Sequence, residues 1–200
     1  MKKNAKTAEV KKAEVKFVNG YEAISKTDKK AKDEKNDCVV RAVMNACGSS
    51  YDDAHKFVEE TFDREPGKGT QLTAPGLIKL ATAKGSSFFN GKKINFVGQH
   101  PDTVGILGGA TEAQAAEASN GKDKKILLNM KYPKGGGRFA GFTVGKFLKQ
   151  NPKGTFLLVV PGHALTLKDG ALIDNENHND ELFKTQGRDQ RKAEFIFEIK

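Results

Sequence analysis

The plainest alternation of apolar and polar residues lies near the end of the chain. Over Ala193 to Ile199, Phe195, Phe197 and Ile199 fall on one face, the two-residue period of a strand. Upstream, Thr155 to Val160 is a β-rich run, and His163 to Lys168 and Ala171 to Asp174 flank Asp169-Gly170, which predicts a hairpin. Earlier in the chain the punctuation is helical. Asn36 or Asp37 can cap a helix running to Cys47, and Gly48 supplies a left-handed stop. Ser50, with Asp53 three residues on, opens a second helix to about Phe62. Thr73-Ala74-Pro75 opens a third, ended by Gly85, and Thr143 caps a short helix to about Gln150. Between them, Ile94 to Val97 and Lys125 to Met130 are strand candidates, and Thr111 to Ser119 reads as a helix. Helices first and a meander of strands last predict an α+β fold.

The first stretch differs in character. Residues 1 to about 13 have no periodic apolar face. Val15 to Val18, Asn19-Gly20 and Tyr21 to Ile24 predict a hairpin, since Asn-Gly supplies the positive φ values of a type I′ turn. Residues 25 to 35 are again charged. The expected organisation is a basic arm with a hairpin over 1–35 and one folded domain over 36–200, with an insertion at about 98–140. Charge sharpens this division. The arm holds eleven lysines against six acids, and the whole chain carries a formal net charge of +9 with a pI of about 9.4. Such an arm is expected to engage an acidic partner, nucleic acid or a protein surface. With no Trp and only three Tyr, a base-stacking platform is poorly provisioned. No apolar run approaches the length needed to span a bilayer, and with charges recurring through the start no export signal is expected. No membrane partner is expected, and the chain is expected to stay in the compartment where it is made.

Candidate chemistry centres on Cys38. A thiol in the first turn of a helix sits in the partial positive charge of the helix N-terminus, which favours the thiolate. An imidazole nearby can take its proton, and helix N–H groups can stabilise an oxyanion. Of the four histidines, His55 lies inside a helix, His100 precedes a proline, and His178 sits in a polar run. His163 follows Pro161-Gly162 at a strand start between apolar runs, 125 residues after Cys38, and is the candidate base. A two-residue Asp169-Gly170 loop would put Leu165 opposite Asp174 and His163 opposite Glu176. Asp174 then shares a face with His163 and is the candidate orienting acid. Asn175 and Glu176 are its competitors; a three-residue loop would reverse the faces and favour Asn175. Cys38 and Cys47 would stand about 13.5 Å apart along one helix, too far for a disulfide. Two free thiols fit a reducing cytoplasm. Glu65 to Thr70 lacks the first glycine of a phosphate-binding loop, and no CxxC or HxxxH pair suggests a metal; no cofactor is expected.

Several short blocks carry a resemblance. Asn36-Asp37-Cys38-Val39-Val40-Arg41-Ala42, Ser50-Tyr51-Asp52-Asp53-Ala54-His55, Gly67-Lys68-Gly69-Thr70, Pro152-Lys153-Gly154-Thr155-Phe156-Leu157 and Gly162-His163-Ala164 with Asp169-Gly170 resemble phage-encoded papain-like cysteine peptidases. The likeness spans about residues 36 to 175 and omits the arm and residues 98–140. It implies N-terminal helices carrying the Cys, packed on a C-terminal antiparallel sheet carrying the His and the Asp. It also implies Cys38 as nucleophile, His163 as base, Asp174 as orienting acid, and a protein or peptide substrate. The site of action would be the cytoplasm of a bacterial host or the packaged virion, with a virion protein among the acidic partners for the arm. One departure stands out. Papain-like enzymes often place a Gln shortly before the Cys to complete the oxyanion hole, but residues 31 to 37 contain none. Asn36 is the donor available in its place. The competing expectation is a non-catalytic papain-like virion or DNA-associated protein.

Overall fold

The computed structural model describes residues 16–20, 24, 26–72, 76, 89–99, 142–174 and 191–200. Strand β1 spans Lys16–Asn19, helix α1 Lys29–Asp33, α2 Cys38–Cys47 and α3 Tyr51–Phe62. Then come β2 (Ile94–Gln99), α4 (Val144–Gln150), β3 (Thr155–Val160), β4 (His163–Lys168), β5 (Ala171–Asp174) and β6 (Phe195–Ile199). The strands form one six-stranded sheet in the order β1-β5-β4-β3-β6-β2. All neighbours are antiparallel except β1 and β5. The α+β class stands as expected, but the sheet is mixed and it recruits a strand from the N-terminal stretch.

The expected helices begin and end for local reasons. Ser50 Oγ accepts the Asp53 amide at 3.1 Å and donates to the Asp53 carboxylate at 2.6 Å, so residue and cap hold each other. Thr143 caps α4 by accepting from the Lys146 amide. Gly48, at φ 67°, ends α2, and its N–H bonds the Met44 carbonyl. Asp37 is different: it flanks α2 without a side-chain cap bond. Its carboxylate instead accepts from Arg41 Nε and from the Tyr51 hydroxyl, each at 2.7 Å. The Arg41 guanidinium also bonds the carbonyl of Ala31 in α1. One buried ion pair thus ties the starts of three helices together.

The sheet is buried on both faces. Leu157, Val159, Ala164, Phe195, Phe197 and Ile199 pack with α2 and α3 on one side. Phe156, Leu158, Leu165, Leu167, Leu172 and Ile196 pack with α4 on the other. The alternation in the last strand therefore does not mark a water-facing side: Ile196 is as buried as the phenylalanines beside it. Only central strands covered on both faces read as nearly continuous apolar runs, which is the pattern of β3.

Two expectations about the N-terminal stretch are overturned. Residues 16–20 do not form the first half of a hairpin. Lys16–Asn19 pairs in parallel with Ala171–Asp174 at the sheet edge, and Gly20 turns into helical backbone. Gly20 is needed for close approach rather than for positive φ: a Cβ there would meet Ile173 Cγ2 at 2.9 Å and Asn45 Nδ2 at 3.0 Å. Nor does the folded body start at residue 36, because β1 and α1 belong to it and Ala31 is fully buried. Of the third helix only Gly76 is described, in helical backbone; the elements at 111–141, most of the insertion and residues 1–15 lie outside the described residues, and Gly98 and Gln99 end β2.

Removing one partner of a buried pair strands the other charge. Arg41→Met should destabilise the protein by about 3–5 kcal/mol in urea unfolding. Lys30→Met, which breaks the exposed Lys30–Asp52 pair, should cost less than about 1 kcal/mol.

Candidate active site

Two tight turns deliver two side chains to one place. Pro161-Gly162 links β3 to β4, with Gly162 at φ 70°, and the register pairs Val160 with His163. His163 is therefore fixed at the first position of β4. At the other end of that strand, Asp169 (φ 47°) and Gly170 (φ 77°) supply the two positive φ values of a type I′ loop. Lys168 pairs with Ala171, Leu167 with Leu172 and Thr166 with Ile173. Continuing that register sets Leu165 opposite Asp174, one diagonal step from His163 on the same face. Asp174 is fully buried, and its Oδ1 accepts from His163 Nε2 at 2.6 Å. Its competitors Asn175 and Glu176 lie outside the described residues.

The third group arrives from the helical layer. Cys38 is the first residue of α2 and is half-buried, while Cys47 closes the same helix in the core; both thiols are free. Thr166 Oγ1 donates to the Ala42 carbonyl at 2.7 Å, pinning α2 directly to β4. The Cys38 side chain is hydrogen-bonded to the His163 ring. With Nε2 committed to Asp174, Nδ1 is the ring nitrogen left for sulfur. The structure thus brings together Cys38, His163 and Asp174 from three elements.

The electrostatics favour a charged ring. Burial works against the imidazolium, but hydrogen bonds to Asp174 and Cys38 and the Asp174 charge outweigh it, raising the His163 pKa to about 9. For Cys47 burial dominates and pushes the thiol up to about 12. The Asp37 carboxylate, adjacent in sequence to Cys38, is spent on Arg41 and Tyr51. Burial first, and then the bond to Asp37, raises the Tyr51 phenol above its ordinary range, keeping it a donor.

Cys38 and His163 open on a cleft of about 750 Å³ whose walls include Asn36, Thr70, Leu72, Val160 and Phe195. Asn36 stands at its lip with φ 56°, a left-handed conformation that Asn tolerates better than most residues. The loop bearing Thr70 is held from behind. Glu34 Oε1 accepts from the Gly67 amide at 2.7 Å and from Arg64 Nη2 at 2.8 Å. Arg64 Nη1 donates to His55 Nε2 at 2.8 Å, which makes that nitrogen an acceptor. Burial, then the charges of Lys30 and Arg64, lower the His55 pKa and keep it neutral. His55 is thereby a structural base for an arginine. Glu34, Arg64 and Thr70 were not apparent as site residues from sequence; the Gly67-Lys68-Gly69-Thr70 block was the one local signal.

Among the described residues no group of three or more His, Cys, Asp or Glu has a metal-holding arrangement. No helix among them is long and apolar enough to cross a membrane. No family model, curated protein or solved structure matches this chain. Chemically, the arrangement can remove the thiol proton, present sulfur as a nucleophile, and return the proton from the same ring.

Iodoacetamide at pH 6 to 7 should alkylate Cys38 at least about tenfold faster than Cys47, read by peptide mass spectrometry. Equal or reversed rates would show that the thiol is not activated. A second expectation concerns pH. The His163 pKa is raised from 6.5 to about 9, so the stability from its charged form is fully present below pH 6.5. It is lost as the pH rises through about 9. Urea unfolding across this range should show a steeper loss for the wild type than for His163→Gln.

Proposed function

We propose that the chain is a papain-like cysteine peptidase, or a related thiol amide hydrolase, of a bacterial virus. The observation that supports it is the hydrogen-bonded line from Cys38 through His163 to Asp174, opening on a cleft. A helix that begins at the Cys and packs on the strand that begins at the His is in keeping with a papain-like architecture.

In this reading His163 takes the Cys38 proton, and Sγ attacks the carbonyl carbon of the substrate. The carbonyl π electrons move onto oxygen, giving an oxyanion beside the start of α2. As the intermediate collapses, the C–N bond breaks and His163 passes its proton to the departing amine. The acyl group remains as a thioester on Cys38. His163 then takes a proton from water, which attacks the thioester and releases the carboxylic acid and the thiol. Asp174 holds the ring in one tautomer and stabilises the imidazolium throughout. Leu72, Val160 and Phe195 give the cleft apolar walls suited to a peptide side chain. The lysine-rich N-terminal stretch engages an acidic partner, nucleic acid or virion protein, in the host cytoplasm or the particle.

The test is cleavage of a proteome-derived peptide library, with new termini read by mass spectrometry. Cys38→Ala should yield none. Asp174→Asn, which keeps the shape and removes the charge, should slow cleavage at least about a hundredfold. Asn175→Ala and Glu176→Gln should each stay within about threefold of wild type, a range far smaller than loss of an orienting acid. New termini absent with the wild type, or no more frequent than the Cys38→Ala background, would replace the enzyme with the non-catalytic virion or DNA-associated protein.

A further inference from the structure

The Thr70 hydroxyl has no explanation in the packing. Its Oγ1 is buried and finds no hydrogen-bond partner among the described residues. A buried hydroxyl without a partner is destabilising, and a catalytic role is one of the reasons a native structure retains such a group. Thr70 lines the same cleft as Cys38 and His163. It does not sit on a loose segment. The loop before it is clamped through the Gly67 amide to Glu34, and Glu34 in turn to the buried Arg64. Gly69, immediately before it, lies close to Asn36: a Cβ on Gly69 would stand 3.9 Å from Asn36 Cβ. Asn36 is two residues from the nucleophile. The hydroxyl is therefore held on the Asn36 side of the cleft, rotatable about a single bond.

We propose that Thr70 is a catalytic residue, whose hydroxyl donates to the oxyanion that forms on the substrate carbonyl. This rests on the thiol-hydrolase reading and deepens it. Residues 31 to 37 provide no glutamine for that task. Thr70 supplies a donor from a separate loop that lines the same cleft as Cys38. In the resting protein the hydroxyl has no partner among the described residues; in the transition state it gains an ionic acceptor. An interaction made only then lowers the barrier rather than tightening substrate binding.

Two small electrophiles separate this role from a structural one. Iodoacetamide alkylates Cys38 by displacing iodide from carbon, with no oxyanion formed. p-Nitrophenyl acetate acylates it through a tetrahedral intermediate: Sγ bonds the carbonyl carbon, negative charge collects on oxygen, and p-nitrophenolate leaves as the C–O bond breaks. In Thr70→Val the ester reaction should slow at least about tenfold, while alkylation stays within about twofold. Thr70→Ser should recover the ester rate to within about threefold of wild type, because it restores the donor. The melting temperature of Thr70→Val should not fall, since an unpaired buried hydroxyl is exchanged for a methyl group of like size.

The proposal is overturned if Thr70→Val acylates within twofold of wild type, or if both reagents slow equally. It is also overturned if Thr70→Val and Thr70→Ala both fail to fold, for the hydroxyl is then structural. A wild type that shows no p-nitrophenolate burst relative to Cys38→Ala removes the thiol-hydrolase reading itself, and this one with it.

Discussion

The seating of α2 on β4 is the constraint from which the rest of the site follows. Cys38 is placed by where α2 begins and His163 by where β4 begins, so the depth and rotation of one element on the other set the distance between them. That seating is specified by more than apolar contact. Ala42 and Ala46 are small and buried, which lets the helix approach the sheet closely. Thr166 reaches up from the strand to the Ala42 carbonyl, a polar bond that a slipped helix would leave unmade inside the core. The start of the helix is fixed separately, by Asp37 against Arg41 and Tyr51. Slippage along the axis and rotation about it are therefore opposed by different interactions.

The parts of the site were legible in the sequence wherever a local rule fixed them. Asp169-Gly170 dictates a two-residue turn, and that turn alone chooses Asp174 as the residue sharing a face with His163. Cys38 was legible because a thiol in the first turn of a helix is both rare and chemically meaningful. What escaped was non-local. Lys16–Asn19 has a strand-like composition, but nothing in it names β5 as partner across more than 150 residues, nor the parallel direction. Asn19-Gly20 looked like a turn because glycine serves two purposes, positive φ and close approach, and sequence does not distinguish them.

Buried charge was the other blind spot. Glu34, Asp37, Arg41 and Arg64 sit in a chain so rich in charged residues that each reads as solvated surface. In the fold they pair across as many as thirty residues and organise the walls of the cleft. Arg41 and Arg64 suit this role because a guanidinium has five donors in a rigid fork. Arg41 uses it to satisfy a carboxylate and a carbonyl at once, and Arg64 to satisfy a carboxylate and a neutral imidazole. A lysine in either place would leave acceptors unsatisfied.

The bond between Thr166 and Ala42 joins residues 124 positions apart, and β1 and β5 meet over a still longer span. Contacts of such separation demand closure of a large loop before they return any free energy, so they form late when a chain folds. Each half of the arrangement can form early: a short helix with a thiol at its end, and a hairpin holding an imidazole against a carboxylate. Sulfur and ring meet only when the two halves dock. A partly folded or nascent molecule therefore lacks the bond between them, and the Cys38–His163 pair is a property of the finished fold alone.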